Sequence, residues 1–218
     1  HSFYTVNSST YDNNNLLQDH KNWYWVKNKF LTLSLEDNSN FLISYGSLIP
    51  CFKEKGQFFT MLPNNKKVNI DINSLIRYTD KTDYQDNILY STKQLIGSPY
   101  LWGGKSAFGF DCSGLLQSIF NVCNVNANNY TKSMLPRDAS EQVLSDILIE
   151  KKDLPNIGDI IFFKTDSKVD HVGVYINNQE FIHSSGFVRI NSIDKENQYY
   201  SNKLELNLYG IYEINKKC

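Results

Sequence analysis

Three observations predict an α+β fold. Residues 1–80 carry no long helical period and instead show short aromatic and branched runs between polar clusters. From Ile88 to Leu148, apolar residues recur at three- and four-residue intervals, as on one face of a helix. From Gly158 onward, apolar residues form short or alternating runs, as strands do. Helices followed by antiparallel strands is the α+β order. Two regions are therefore expected, an all-β region over 1–82 and a mixed region over 83–218.

In the first region the expected strands are Trp23–Val26, Phe41–Ile43, Ser47–Ile49, Gln57–Met61 and Val68–Ile70. Turn-forming clusters such as Asp12–Asn15 and Glu36–Asn40 separate them. The polar stretch Arg77–Asp83 reads as the linker. Helices are then expected over Ile88–Ile96, ended by Gly97-Ser98-Pro99, over Ser113–Val122, and over Arg137–Leu148. The strands that follow are Asp159–Phe163, His171–Ile176, Glu180–His183 and Tyr209–Ile214.

The charge balance excludes one class of partner. Lys and Arg number 22 and Asp and Glu 23, a net −1, which leaves no electrostatic footprint for a nucleic acid. A hydrophobic content of 41% over 218 residues can build a real core. Cys51, Cys112, Cys123 and Cys218 form no CxxC pair, which argues against a disulfide framework or a zinc site. No metal or cofactor is called for. No stretch approaches the roughly 18 apolar residues of a membrane span. The chain begins His1-Ser2-Phe3 without a methionine, so a leader could have been removed and the compartment stays undecided.

The candidate chemistry centres on Asp111-Cys112-Ser113-Gly114, at the mouth of the apolar run Leu115, Leu116, Ile119, Phe120, Val122 and Cys123. A cysteine in the first turn of a helix meets unpaired N–H groups and the positive end of the macrodipole. That position favours a thiolate, the nucleophilic form. The alternative is a small buried hydrophobe. A catalytic thiol needs a histidine, and His1 and His20 fall in the accessory region. His171 opens a strand on which His171, Gly173 and Tyr175 share one face. Gly173 leaves room there for a helix or a substrate. His183 lies twelve residues on, across a turn. An odd loop puts both histidines on one face and an even loop puts them on opposite faces.

Several motifs then occur in order: Tyr100-Leu101-Trp102-Gly103-Gly104, Phe110–Leu115, Leu135-Pro136-Arg137-Asp138 with Gln142, Gly158-Asp159-Ile160, Asp170–Tyr175, and Phe181-Ile182-His183. Together they resemble the NlpC/P60 family of bacterial cell-wall cysteine peptidases, over residues 86–218. The segment Gly46–Ile70 resembles a bacterial SH3-like (SH3b) module, and Trp23–Val26 resembles the closing strand of an earlier one. That arrangement is similar to the γ-D-glutamyl-L-diamino acid endopeptidases of the family.

The resemblance implies a papain-like domain, with the cysteine on a helix packed against an antiparallel sheet that carries the histidine. It implies Cys112 as nucleophile, His171 as base and then acid, and His183 as the orienting residue. The Cys112 N–H and the Tyr100 hydroxyl would stabilise the oxyanion, unless Tyr100 is a core tyrosine. Asp111 and Ser113 would hold a substrate α-ammonium group, or cap the helix instead. Arg137 would take a substrate carboxylate. Asp138 would line the cleft or only charge its helix, and Trp102 would pack at the cleft wall. The implied substrate is a murein tri- or tetrapeptide with a free N-terminal L-Ala. The alternatives are intact peptidoglycan stems, or wall binding without catalysis.

Overall fold

The computed structural model describes residues 22–36, 38–62, 66–78, 83–123, 135–177 and 179–215. His1, His20, Cys218, the Asp12–Asn15 turn and most of the expected linker lie outside them. The chain divides into two compact units, one ending at residue 81 and the other beginning at 82.

Among its described residues the first unit holds eight short strands: β1 (Trp23–Val26), β2 (Phe30–Ser34), β3 (Asn40–Ser44), β4 (Leu48–Pro50), β5 (Phe52–Glu54), β6 (Gln57–Met61), β7 (Lys67–Asn69) and β8 (Leu75–Arg77). They form antiparallel sheets in the orders β4-β1-β8, β2-β3 and β5-β6-β7. Alternation places Tyr24, Val26, Leu31 and Leu33 in one core with Cys51, Val68, Ile70 and Leu75. The strand Trp23–Val26, expected to close an earlier module, is instead the centre of a sheet in this unit. Both of its edges pair with strands that follow it in the chain. Arg77, expected in the linker, ends β8 and donates to the Tyr24 hydroxyl at 2.9 and 3.0 Å.

The second unit opens with α1 (Tyr84–Leu95), four residues earlier than its apolar period suggests. Asp83 sets that start by accepting from the Asp86 N–H. A two-stranded ribbon, β9 (Lys105–Ser106) and β10 (Gly109–Phe110), leads into α2 (Cys112–Val122). The next elements are α3 (Ala139–Gln142), β11 (Leu148–Glu150), β12 (Ile160–Thr165), β13 (Lys168–Asn177), β14 (Glu180–Ser185), β15 (Phe187–Ser192), α4 (Asn202–Leu206) and β16 (Leu208–Ile214). One antiparallel sheet has the order β11-β16-β12-β13-β14-β15.

The helix expected over Arg137–Leu148 is much shorter. Its helical spacing is overridden at the far end, where Leu148 pairs with Ile214 as the first residue of an edge strand. Ile160 to Phe163 are all buried, because β12 is flanked by β16 and β13 and covered on both faces. A cluster of Ile161, Phe163, Tyr175 and Phe181 receives Leu204 from α4. Lys151 is almost fully buried and is paired with Asp159 at 2.8 Å and Glu213 at 3.2 Å.

Helix α2 packs on β13 and β14. Gly114, in its first turn, permits the close approach of the preceding loop. A Cβ there would stand 2.2 Å from the Gly104 carbonyl oxygen, an impossible contact with backbone. Ser184 on β14 donates to the Phe110 carbonyl at 2.8 Å, which pins the loop before Cys112 to the sheet.

Candidate active site

Cys112 is the first residue of α2 and Asp111 is its N-cap. The Cys112 thiol lies 3.9 Å from the carbonyl oxygen of Asp170 on β13, immediately before His171. Burial pushes the thiol pKa up, and the nearby Asp111 carboxylate adds to the rise. Backbone N–H groups of Val172, Ser113 and Cys112 itself act in the opposite direction. The helix-start effect expected from the sequence is therefore present, and burial outweighs it.

The two histidines share a face. His171 Nε2 and His183 Nδ1 are 2.7 Å apart, and His183 Nε2 lies 2.9 Å from Asn191 Oδ1. An amide oxygen can only accept, so His183 carries its proton on Nε2 and accepts from His171 at Nδ1. His171 is thereby protonated on Nε2 in its neutral form, which leaves Nδ1 unprotonated and able to accept a proton. Asn191 in turn donates to the Tyr199 carbonyl at 2.9 Å, which fixes its amide.

A shift in strand register produces this arrangement. Only two residues separate β13 from β14, the even loop that sends His183 to the far face. Tyr175 pairs with Phe181 but Asn177 with Glu180, so Ile176 is an extra residue in β13. That bulge restores the parity and sets His183 directly opposite Gly173. The space at Gly173 serves His183 rather than a helix or substrate. A Cβ there would lie 2.9 Å from Phe181 and 3.3 Å from the His183 Cβ.

The rings of Phe163 and Phe181 lie 5.7 Å from His171 and 5.3 Å from His183, respectively. This apolar surround disfavours a charged imidazole. Burial lowers the His171 pKa to about 4, with Arg189 and Lys203 adding to the effect. Burial lowers that of His183 to about 3, and His171 reinforces it.

Asp111 and Arg137 are matched to each other. The Asp111 carboxylate accepts from the Gly103 N–H, the Gly114 N–H, the Ser113 hydroxyl and both terminal nitrogens of Arg137. Arg137 also donates to Ser113 Oγ at 2.8 Å. The sequence offered Asp111 and Ser113 to a substrate ammonium group and Arg137 to a substrate carboxylate. The structure spends these groups on one another, and five accepted bonds exhaust a carboxylate's lone pairs. Two buried glutamines hold Arg137 in place. Gln117 donates to the Leu135 and Pro136 carbonyls, and Gln142 donates to those of Pro136 and Ser113.

Tyr100 is held by its N–H to the Gly186 carbonyl at 3.0 Å and by bridge pairing to Phe110. Its hydroxyl has no partner among the described residues. Its pKa is raised by burial and by Cys112 and Asp111 close by, so it is a proton donor near the thiol. Trp102, expected to pack at the cleft wall, is 86% exposed, on a turn ahead of β9. Asp138 is the N-cap residue of α3, is exposed and makes no side-chain cap bond.

Sequence reasoning missed Asn191. A strand over 187–192 is visible only as the pattern Phe187-Val188-Arg189-Ile190, and nothing local links Asn191 to His183. Among the described residues no group of His, Cys, Asp and Glu could hold a metal ion, and no helix is long and apolar enough to cross a membrane.

Residues 97–207 match the sequence profile of the NlpC/P60 family. A γ-D-glutamyl-L-lysine dipeptidyl-peptidase of Bacillus cereus is 31% identical over 157 residues, 68% of this chain and 44% of the relative. A murein DD-endopeptidase of Escherichia coli is 44% identical over 96 residues, 42% of this chain and 32% of the relative. The crystal structure of an NlpC/P60 family protein from Bacillus cereus superposes with a TM-score of 0.74 at 25% identity. It covers 91% of this chain and 65% of that one. The chain thus spans less than half the length of these two curated relatives.

Proposed function

The chain belongs to the NlpC/P60 family, and from that membership we propose that it is a cysteine peptidase that hydrolyses the γ-D-glutamyl–diamino acid bond of murein peptides. The observation that carries the reading is the chain of contacts His171–His183–Asn191 beside Cys112. A thiol, a neutral imidazole with a free Nδ1 and a fixed orienting partner make up the parts of a nucleophile-and-base system.

In this reading His171 Nδ1 takes the Cys112 proton as the sulfur adds to the amide carbonyl. The oxyanion is met by the Cys112 N–H and the Tyr100 hydroxyl. His171 returns the proton to the leaving amine as the C–N bond breaks, and a thioester remains. Water, deprotonated by His171, then hydrolyses the thioester and frees the thiol. His183 accepts from His171 Nε2–H and so holds the ring with Nδ1 available. Asp111 and Arg137 act as a positioning pair that sets the start of α2.

Cleavage after L-Ala-γ-D-Glu with a free α-ammonium is supported by the dipeptidyl-peptidase relative. The murein endopeptidase relative favours a second reading, intact stems as substrate. In either case the first unit is proposed to be an SH3-like module. Hydrolysis of L-Ala-γ-D-Glu-diaminopimelate is expected to be lost when the L-Ala nitrogen is acetylated. Equal rates on both peptides would favour intact stems, and no cleavage of either would favour wall binding alone.

The pH dependence follows from the low histidine pKa values. His171 must be neutral to accept a proton, so the acid limb of kcat/KM is expected near pH 4, not near the 6.5 of free imidazole. An acid limb at 6 or above would contradict the buried site. Stability should show the same origin. Between pH 6.5 and 4 the unfolded chain binds more protons than the folded one, so stability falls as pH falls through that window. The steepest slope is about 1.4 kcal/mol per pH unit for each histidine.

A further inference from the structure

Arg189 is the residue that the reaction described above leaves unused. It pairs directly with His183 across β14 and β15, and Asn191, two residues on, shares its face of β15. Its guanidinium carbon lies 5.5 Å from the centre of the Phe187 ring, which is 46% exposed. The Arg189 Nε–H is buried and has no hydrogen-bond partner among the described residues. No carboxylate among them pairs with its guanidinium either. A half-buried cation with an unmet donor is costly unless something else satisfies it.

Lys203 on α4, whose neighbour Leu204 packs on the cluster that holds Phe163 and Phe181, is a second cation acting on His171, exposed and without an ion pair among the described residues. Acidic neighbours do not offset the two. Glu205, on the same helix, is engaged with Tyr200 and Lys195. The histidine side of the site therefore carries two cations, while on the other side Asp111 is paired with Arg137.

We propose that Arg189, assisted by Lys203, is a specificity-determining anion subsite that binds a carboxylate on the leaving half of the substrate. The proposal rests on the peptidase reading, in which His171 protonates the leaving amine; Arg189 is the cation paired across the strands with His183, the partner of His171. In a γ-D-glutamyl–diamino acid bond that amine belongs to the diamino acid, whose α-carboxylate is attached to the adjacent carbon. A guanidinium edge suits such a group, since Arg binds carboxylates in a bidentate geometry.

The test compares L-Ala-γ-D-Glu-L-Lys with its C-terminal amide, and L-Lys with meso-diaminopimelate when both are amidated at the α-carboxyl. The wild-type chain is expected to prefer the free acid at least tenfold in kcat/KM, mainly through KM. Arg189→Gln should reduce that ratio to near one, Arg189→Lys should retain part of it, and Lys203→Gln should lower it by a smaller factor. Preference for amidated diaminopimelate over amidated lysine would show that the side-chain carboxylate also reaches the subsite. An unchanged acid-to-amide ratio in both Arg189 variants, or no preference in the wild type, would overturn the subsite while leaving the peptidase reading intact. Absence of cleavage of any of these peptides would overturn the peptidase reading, and the subsite with it. Because the readout is a ratio within one variant, partial loss of folded protein does not alter it.

Discussion

Cys112→Ala is expected to lower peptide hydrolysis on the order of 10⁴-fold or more, with little change in melting temperature. The thiol is the group proposed to form the covalent bond, and neither of the other described cysteines can replace it. Cys51 and Cys123 are buried, and burial raises both of their thiol pKa values. Stability should hold because alanine is a good helix former and Cys112 is only partly buried at the start of α2. His171→Ala should cost about as much, and the double variant should cost no more than either alone, because the two act as one unit. The check is steady-state hydrolysis of L-Ala-γ-D-Glu-diaminopimelate alongside thermal unfolding. Activity of Cys112→Ala within tenfold of wild type would remove the nucleophile from the mechanism.

Asp111→Ala should be strongly destabilising, at about 3 kcal/mol. It removes the N-cap of α2, which is worth about 1 kcal/mol in ordinary helices. It also leaves the Gly103 and Gly114 N–H groups without their acceptor and Arg137 without its counter-ion. Arg137 is a third exposed, so water relieves part of that last penalty, and the total is smaller than for a fully buried pair. Asp111→Asn keeps a cap oxygen while losing the charge, so it should cost roughly half as much. Chemical denaturation midpoints of the two variants against wild type measure this. A loss below about 1 kcal/mol for Asp111→Ala would mean that the carboxylate is not the anchor its five bonds suggest. Activity should fall with stability, because the same residue fixes where the first turn places Cys112.

Much of this site is legible in the order of residues. The helical spacing of Leu115, Leu116, Ile119 and Phe120 locates α2, and Asp111 and Ser113 mark its start, so Cys112 is placed at a helix N-terminus by local rules alone. The alternation through Val172, Val174 and Ile176 likewise assigns His171, Gly173 and Tyr175 to one face. The electrostatic state of these groups is less legible. A helix start suggests a lowered thiol pKa, yet the phenyl rings around the histidines come from β12 and β14 and the thiol lies against β13, all distant from it in sequence. Asp111 illustrates the same limit. Its charge, adverse beside a thiol, is satisfied by Arg137, twenty-six residues away, which two buried glutamines hold at the right place.

The sequence by itself determined the helix that bears Cys112 and the face that bears His171, because those follow from short-range periodicity and capping; the resemblance to the family rests on the ordered motifs around them. Only the tertiary structure decided that His183 joins His171. The two-residue connection between β13 and β14 would direct His183 away, and the extra residue at Ile176 turns it back. The same is true of Asn191 and Arg189, which reach His183 through the pairing of β15 with β14. Side-chain parity along one strand is a local property. Register between strands depends on bulges and on pairing across the sheet, and a one-residue shift moves every later side chain to the other face.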